Sequence, residues 1–265
     1  MKFYQKIEYT SPQDTKGAIK EALEKYKLVH FVGFDFQINI NDYFTELGDS
    51  LGLVISMDED KETGKRTGQR WIDISYDPAY PSKYRSSKTR QPLHTDNSYL
   101  DHHDAVNYFY CLSQAQIGGA TVFLDSELLV KVLELDNEHQ LLENLKTIPV
   151  CFSKQGVCKT KPIFTEDELG LRLNYNYYPL DKNNTPEAKD LVERFQYFLE
   201  DRVWNSGICT DIILKEGEAV FFHDERLLHG RNAFFTPNKG DRILLKGSVV
   251  LHSRKHKNLE LYCPV

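Results

Sequence analysis

Short apolar runs rich in Val, Ile, Phe and Tyr recur along this chain, and they constrain its fold more than any other feature. Residues 28–34, 70–76, 105–113, 120–124, 149–152, 172–178, 219–223, 227–234 and 243–251 read as strands, each too short for an ordinary helix. Helical signals fall early and between them. Ser11-Pro12-Gln13-Asp14 opens a segment running to about Tyr26, with Ser as cap and Pro in the first turn. Residues 42–51 form a shorter candidate, and 126–145 reads as one helix or two, broken near Asp136-Asn137. Thr185-Pro186-Glu187 caps the clearest helix, whose Leu191, Val192, Phe195, Phe198, Leu199 and Val203 keep helical spacing. Many short strands with helices outside predict a β-rich α+β fold, a sandwich or jelly roll. No repeat, low-complexity tract or Pro/Gly/Ser linker divides the chain, so one domain over residues 1–265 is expected.

Composition narrows the partners. A formal net charge of −6, with no basic block, gives no electrostatic reason to expect nucleic acid. No segment approaches the roughly 20 apolar residues of a membrane span, and Met1-Lys2-Phe3-Tyr4-Gln5-Lys6 turns polar at once. The five cysteines form no Cys-x-x-Cys pair, so neither a disulfide framework nor a thiolate zinc site is indicated. A cytoplasmic protein acting on a small molecule is the expectation, with a homo-oligomer left open.

Chemistry concentrates at Leu93-His94-Thr95-Asp96. In an extended strand, residues i and i+2 share a face, which would set the His94 imidazole beside the Asp96 carboxylate. A third ligand must come from elsewhere, and His229 in Leu227-Leu228-His229-Gly230-Arg231 is the best candidate. Two histidines and one carboxylate leave open positions on an octahedral ion, which suits non-heme Fe(II) with a chelating cosubstrate and O2. A lone His-x-Asp is common as a mere hydrogen-bonded pair; its company decides. Arg242 enters the apolar run Ile243-Leu244-Leu245, where a desolvated guanidinium needs an anion, a ligand carboxylate or a protein one.

The ordered set His94-Thr95-Asp96, Gly118-Gly119-Ala120-Thr121, His229 and Arg242 resembles the taurine / 2,4-dichlorophenoxyacetate dioxygenase family of 2-oxoglutarate oxygenases. The run His229-Gly230-Arg231-Asn232-Ala233-Phe234 looks most like its clavaminate synthase and γ-butyrobetaine hydroxylase branches. The match spans roughly residues 90 to 250. The resemblance implies a double-stranded β-helix (cupin-like) core and Fe(II) held by His94, Asp96 and His229. It also implies 2-oxoglutarate held by Arg242 with help from Thr121. The activity implied is hydroxylation of an unactivated C–H bond, with O2 consumed and succinate and CO2 released. Halogenation is disfavoured by the carboxylate at Asp96. One departure is visible: family members often carry Asp-Asn before the distal histidine, where this chain has His223-Asp224-Glu225. A rival metal cluster of His223, Asp224 and His229 follows from it. His102, His103 and Asp104 read as a polar loop or part of a lid.

The substrate is expected to be a small amino acid-like molecule or carboxylate. Lys246 lies on the strand face of Arg242, and Arg90, Asn97, Tyr99 and Arg231 are the other candidates to touch it. Desaturation or cyclisation on the same iron centre is an alternative. So are a non-catalytic metal-binding β-helix protein, a zinc hydrolase and a macromolecular demethylase on the same fold.

Overall fold

Strand β1 (Lys2–Glu8) opens the chain in a computed structural model that describes residues 1–96, 98–100 and 105–252. The sequence reading missed it, because its side chains alternate between exposed and half-buried and four of the seven are charged or polar. Helix α1 (Pro12–Lys25) starts where predicted: the Ser11 hydroxyl accepts the N–H of Asp14, and the chain passes directly into β2 (Tyr26–Val32). Helix α2 (Ile40–Leu51) begins ahead of residue 42, since the Asn39 side chain caps it by accepting from Asn41 and Asp42. Strands β3 (Gly52–Val54), β4 (Ile72–Ser75), β5 (Gln91–His94), β6 (Ala105–Ser113), β7 (Ile117–Gly118) and β8 (Thr121–Asp125) follow.

The 126–145 segment is two helices, α3 (Ser126–Leu135) and α4 (His139–Thr147), with Asn137 at φ +60° in the break. Two hairpins come next, β9 (Val150–Lys154) with β10 (Val157–Lys161), then β11 (Phe164–Asp167) with β12 (Gly170–Leu173). The strand expected over 172–178 therefore stops at Leu173; beyond it the backbone bonds to Ile163 and Thr95 instead of a ladder. Helix α5 (Pro186–Phe198) is capped by the Thr185 hydroxyl. The chain closes with β13 (Thr210–Ile212), β14 (Ala219–His223), β15 (Leu227–Arg231), β16 (Phe234–Phe235) and β17 (Ile243–Leu251).

The strands assemble into a large sheet, ordered β1-β2-β14-β6-β17-β3 with β4 also on β17, and a smaller one, ordered β13-β8-β15-β5. Period-2 alternation explains why both sheets are buried on two faces. On β14, Val220 and Phe222 turn inward to meet Phe109, Phe123, Leu227 and Leu244 between the sheets. Ala219 and Phe221 turn outward, under α1 and α2, with Val29, Phe31, Tyr108 and Tyr110. The outer face of the smaller sheet, Leu93, Val122, Leu124 and Leu228, packs against α3, α4, α5 and the two hairpins. This is the double-stranded β-helix with flanking helices that the sequence implied, and its inner face carries the polar residues described next.

Candidate active site

Alternation fixes which side chains enter the space between the sheets. On β15 the outward Leu228 leaves Leu227, His229 and Arg231 facing inward, and on β17 the inward Leu244 brings Lys246 with it and Arg242 just ahead of the strand. His229 lies directly opposite His94 in the antiparallel β15–β5 pair, and Arg231 lies opposite Thr121 of β8. The imidazoles of His94 and His229 stand 4.3 Å apart between ring centres.

Asp96 reaches the histidines by a route the sequence reading did not foresee. Strand β5 ends at His94, and Asp96 sits in the turn beyond it. The Thr95 N–H donates to the Tyr175 carbonyl (2.6 Å), and the Tyr175 N–H donates to the Thr95 hydroxyl (3.1 Å), so the turn is laced to the segment after β12. The Asp96 N–H donates to both carboxylate oxygens of Asp224, at 3.0 and 3.1 Å. Asp96 Oδ1 then lies 3.7 Å from His94 Nε2, and Oδ2 lies 3.4 Å from His229 Nε2. Among the described residues these three form the one group whose donor atoms all fall within 4.8 Å of each other.

Their protonation suits metal binding. Burial pushes the Asp96 carboxyl up, but Lys246, His229 and His94 prevail and hold it well below the usual carboxylate range. Burial drives His229 well below its ordinary value, so it is a neutral imidazole despite the opposing pull of Asp96. The Pro92 carbonyl, 2.9 Å from His94 Nδ1, can only accept, which assigns a proton to Nδ1 and leaves Nε2 as the nitrogen turned toward Asp96. In this structure the Gln91 amide lies 3.1 Å from that Nε2.

The three side chains form the floor of a cavity of about 560 Å³. Thr121, Leu244 and Arg242 line it beside them. Arg242 is 3% exposed; its Nη2 donates to the Gly119 carbonyl at 3.3 Å, while Nη1 is buried with no hydrogen-bond partner among the described residues. Burial lowers its pKa to about 10, still a cation at neutral pH. An orphaned guanidinium N–H is costly unless an anion meets it. Gly119 makes the approach feasible: its φ is +79°, and a Cβ there would come within 3.0 Å of Arg242 Nε.

Other candidates are placed differently. Lys246 Nζ lies 2.6 Å from Asp96 Oδ2, so this cation faces a protein carboxylate. Arg231 donates to the carbonyls of Tyr84 (3.0 Å), Ser87 (3.0 Å) and Thr89 (2.8 Å), fastening that segment instead of pairing with an acid. Arg90 lies outside the cavity lining, over the Trp204 ring (4.5 Å) and ion-paired with Glu200. Tyr99 lines the cavity, its hydroxyl 3.4 Å from Arg66. Asn97, His102, His103 and Asp104 lie outside the described residues. The His223–Asp224–His229 cluster does not form, because His223 Nε2 bonds to the Leu23 carbonyl (2.8 Å) on the far side of β14. Sequence reasoning missed Asn107, whose amide donates to Asp96 Oδ2 at 2.7 Å and whose oxygen accepts from Ser248 at 2.5 Å. An asparagine in the middle of the apolar run 105–113 was the available signal.

A family model described as "Taurine catabolism dioxygenase TauD, TfdA family" matches residues 3–248. The chain belongs to the TauD/TfdA dioxygenase family. Similar solved structures include an asparagine oxygenase in complex with Fe(II), 3-hydroxyasparagine and succinate, with TM-score 0.67 and 13% identity over 91% of this chain and 78% of that one. PvcB of Pseudomonas aeruginosa aligns with TM-score 0.66 and 15% identity, over 94% of this chain and 86% of that one. The non-heme iron oxygenase OrfP, solved with Fe, succinate and (3S)-hydroxy-L-Arg, gives 0.64 and 13%, over 92% and 81%. Among curated proteins, dioxygenase Str8 of Strobilurus tenacellus is 27% identical over 159 residues, 57% of this chain but 37% of that protein's length. Among the described residues, no helix is long and apolar enough to cross a membrane.

Proposed function

We propose that this family member is an Fe(II)- and 2-oxoglutarate-dependent dioxygenase that hydroxylates a small, amino acid-like substrate. One observation carries the reading: a His-Asp-His donor set and a buried guanidinium whose Nη1 has no hydrogen-bond partner among the described residues line the same cavity. His94, Asp96 and His229 would hold the iron, and Arg242 with Thr121 would hold the distal carboxylate of 2-oxoglutarate. When bound, these groups supply O2 activation coupled to decarboxylation of the cosubstrate to succinate and CO2.

The chain's own residues provide the rest. Asn107 and Lys246 converge on Asp96 Oδ2 and restrain the carboxylate's rotation, leaving Oδ1 toward His94. Phe109, Ile74 and Leu244 give the floor apolar walls that keep water from the reacting carbon. Higher up, Glu59 stands among Lys154 (2.7 Å), Arg66 (3.7 Å) and Tyr99, so the outer wall offers both signs of charge. That wall fits a molecule bearing both an ammonium and a carboxylate. The amino acid products bound in the asparagine oxygenase and OrfP structures support the same class. We place the protein in the cytoplasm, where the free thiols of Cys111, Cys151 and Cys209 persist.

The test is an anaerobic titration of the Fe(II)-loaded protein with 2-oxoglutarate, following the visible charge-transfer band of the chelate. A saturable band, followed by amino acid-stimulated succinate release in air, is expected. Iron that binds without any band would point instead to a non-catalytic metal protein.

A further inference from the structure

Gln91 reaches the cavity through an irregularity in its strand. Strict alternation from His94 would turn Gln91 outward with Leu93, which packs under the outer helices. The pairing with β15 breaks that alternation. His229 stands opposite His94 and Arg231 opposite Gln91, so three steps along β5 match two along β15. The extra residue is a bulge, and it returns Gln91 to the inward face that His229 and Arg231 share. Pro92 sits within the bulge on the edge strand of its sheet, a place where a missing N–H is tolerated. Gly230 of β15 makes room for it: a Cβ there would lie 2.7 Å from the Gln91 carbonyl oxygen and 3.2 Å from that of Pro92.

Other polar side chains on the floor are already committed. Lys246 and Asn107 converge on Asp96 Oδ2, and Arg231 donates to three backbone carbonyls. Arg242 and Thr121 would hold the far carboxylate of the cosubstrate. Gln91 differs. Its amide has one hydrogen-bond partner among the described residues, His94 Nε2 at 3.1 Å, the ring nitrogen that faces Asp96. An ion held by His94, Asp96 and His229 takes that nitrogen and leaves the amide beside it in need of an acceptor. A chelating 2-oxo acid brings one, because its near carboxylate places one oxygen on the metal and keeps the other available.

We propose that Gln91 binds the cosubstrate at its metal-chelating end, its amide donating to the near carboxylate while Arg242 and Thr121 hold the far one. This rests on the proposed iron and 2-oxoglutarate roles of the cavity floor. A dicarboxylate gripped at both ends cannot swing across the face of the ion that the organic substrate approaches. The bulge in β5 is then a functional feature of the strand, since a regular pairing would leave the floor without this amide.

Anaerobic titrations of the Fe(II)-loaded protein test this, using 2-oxoglutarate and 2-oxopentanoate, which has the same near end but lacks the far carboxylate. Gln91→Leu should weaken both ligands about 10- to 100-fold, read from the charge-transfer band, whereas Arg242→Ala should weaken 2-oxoglutarate alone. Native affinity in Gln91→Leu overturns the inference, and so does a loss confined to 2-oxoglutarate. A second readout needs no variant to fold: in the Zn(II)-loaded wild-type protein, the side-chain NH2 resonances of Gln91 should shift when 2-oxoglutarate is added. Resonances that stay in place overturn it as well. A wild-type protein that binds iron but shows no band removes the cosubstrate reading and this inference together, whereas a normal wild-type band with native affinity in Gln91→Leu removes this inference alone.

Discussion

The floor and the mouth of one cavity are built on different physical terms. Most floor residues stand on or next to strands whose register is set by backbone hydrogen bonds: His229 opposite His94, Arg231 opposite Thr121, Lys246 on β17 and Arg242 just ahead of it, with Asp96 in the turn after β5. Mouth residues such as Met57, Glu59, Arg66 and Tyr178 stand on loops and are positioned by ion pairs and ring contacts, Lys154 on Glu59 and Tyr84 on Tyr178. Backbone ladders leave little freedom, whereas partly exposed ion pairs contribute little energy and rearrange readily. The floor is thus suited to fixed chemistry, and the mouth to whatever substrate the loops admit.

Variants can break that contrast, beginning with the largest expected effect. His94→Ala should remove metal binding, weakening Fe(II) or Co(II) affinity by well over the ~100-fold that bounds outer-shell changes; calorimetry on the metal-free protein checks it. Near-native affinity there would move the site elsewhere. Arg242→Ala should leave the metal in place and raise the 2-oxoglutarate requirement roughly 10- to 100-fold, the worth of a lost charge-assisted contact. Succinate release against cosubstrate concentration measures this, and an unchanged requirement would release Arg242 from the anchor role.

Gly119→Ala tests whether the backbone beneath Arg242 is as constrained as its geometry implies. A side chain at φ +79° and a Cβ 3.0 Å from the guanidinium should cost about 1–2 kcal/mol in denaturant unfolding and weaken 2-oxoglutarate binding. The smallest effect belongs to the mouth. Glu59→Gln should change stability by less than about 1 kcal/mol and shift the KM of the organic substrate while leaving the cosubstrate requirement alone. A change in 2-oxoglutarate requirement of the size seen for Arg242→Ala would dissolve the distinction between floor and mouth.

Much of this molecule was legible in its residues. The runs 105–113, 219–223 and 243–251 coincide with β6, β14 and β17, because strands buried on both faces are mostly apolar. Strand β1 was hidden for the opposite reason: an edge strand keeps polar side chains toward water. His94, Asp96, His229, Thr121 and Arg242 could be picked out as candidates because a metal and a dicarboxylate call for particular donor types, and the family resemblance supplied their order along the chain. Their meeting within one cavity, the turn that carries Asp96, and the supports Asn107 and Asp224 were decided only by tertiary structure. So were the placements of Arg90, Arg231 and Lys246: a sequence shows that a cation is present, but which oxygen it faces depends on the burial and packing that folding imposes.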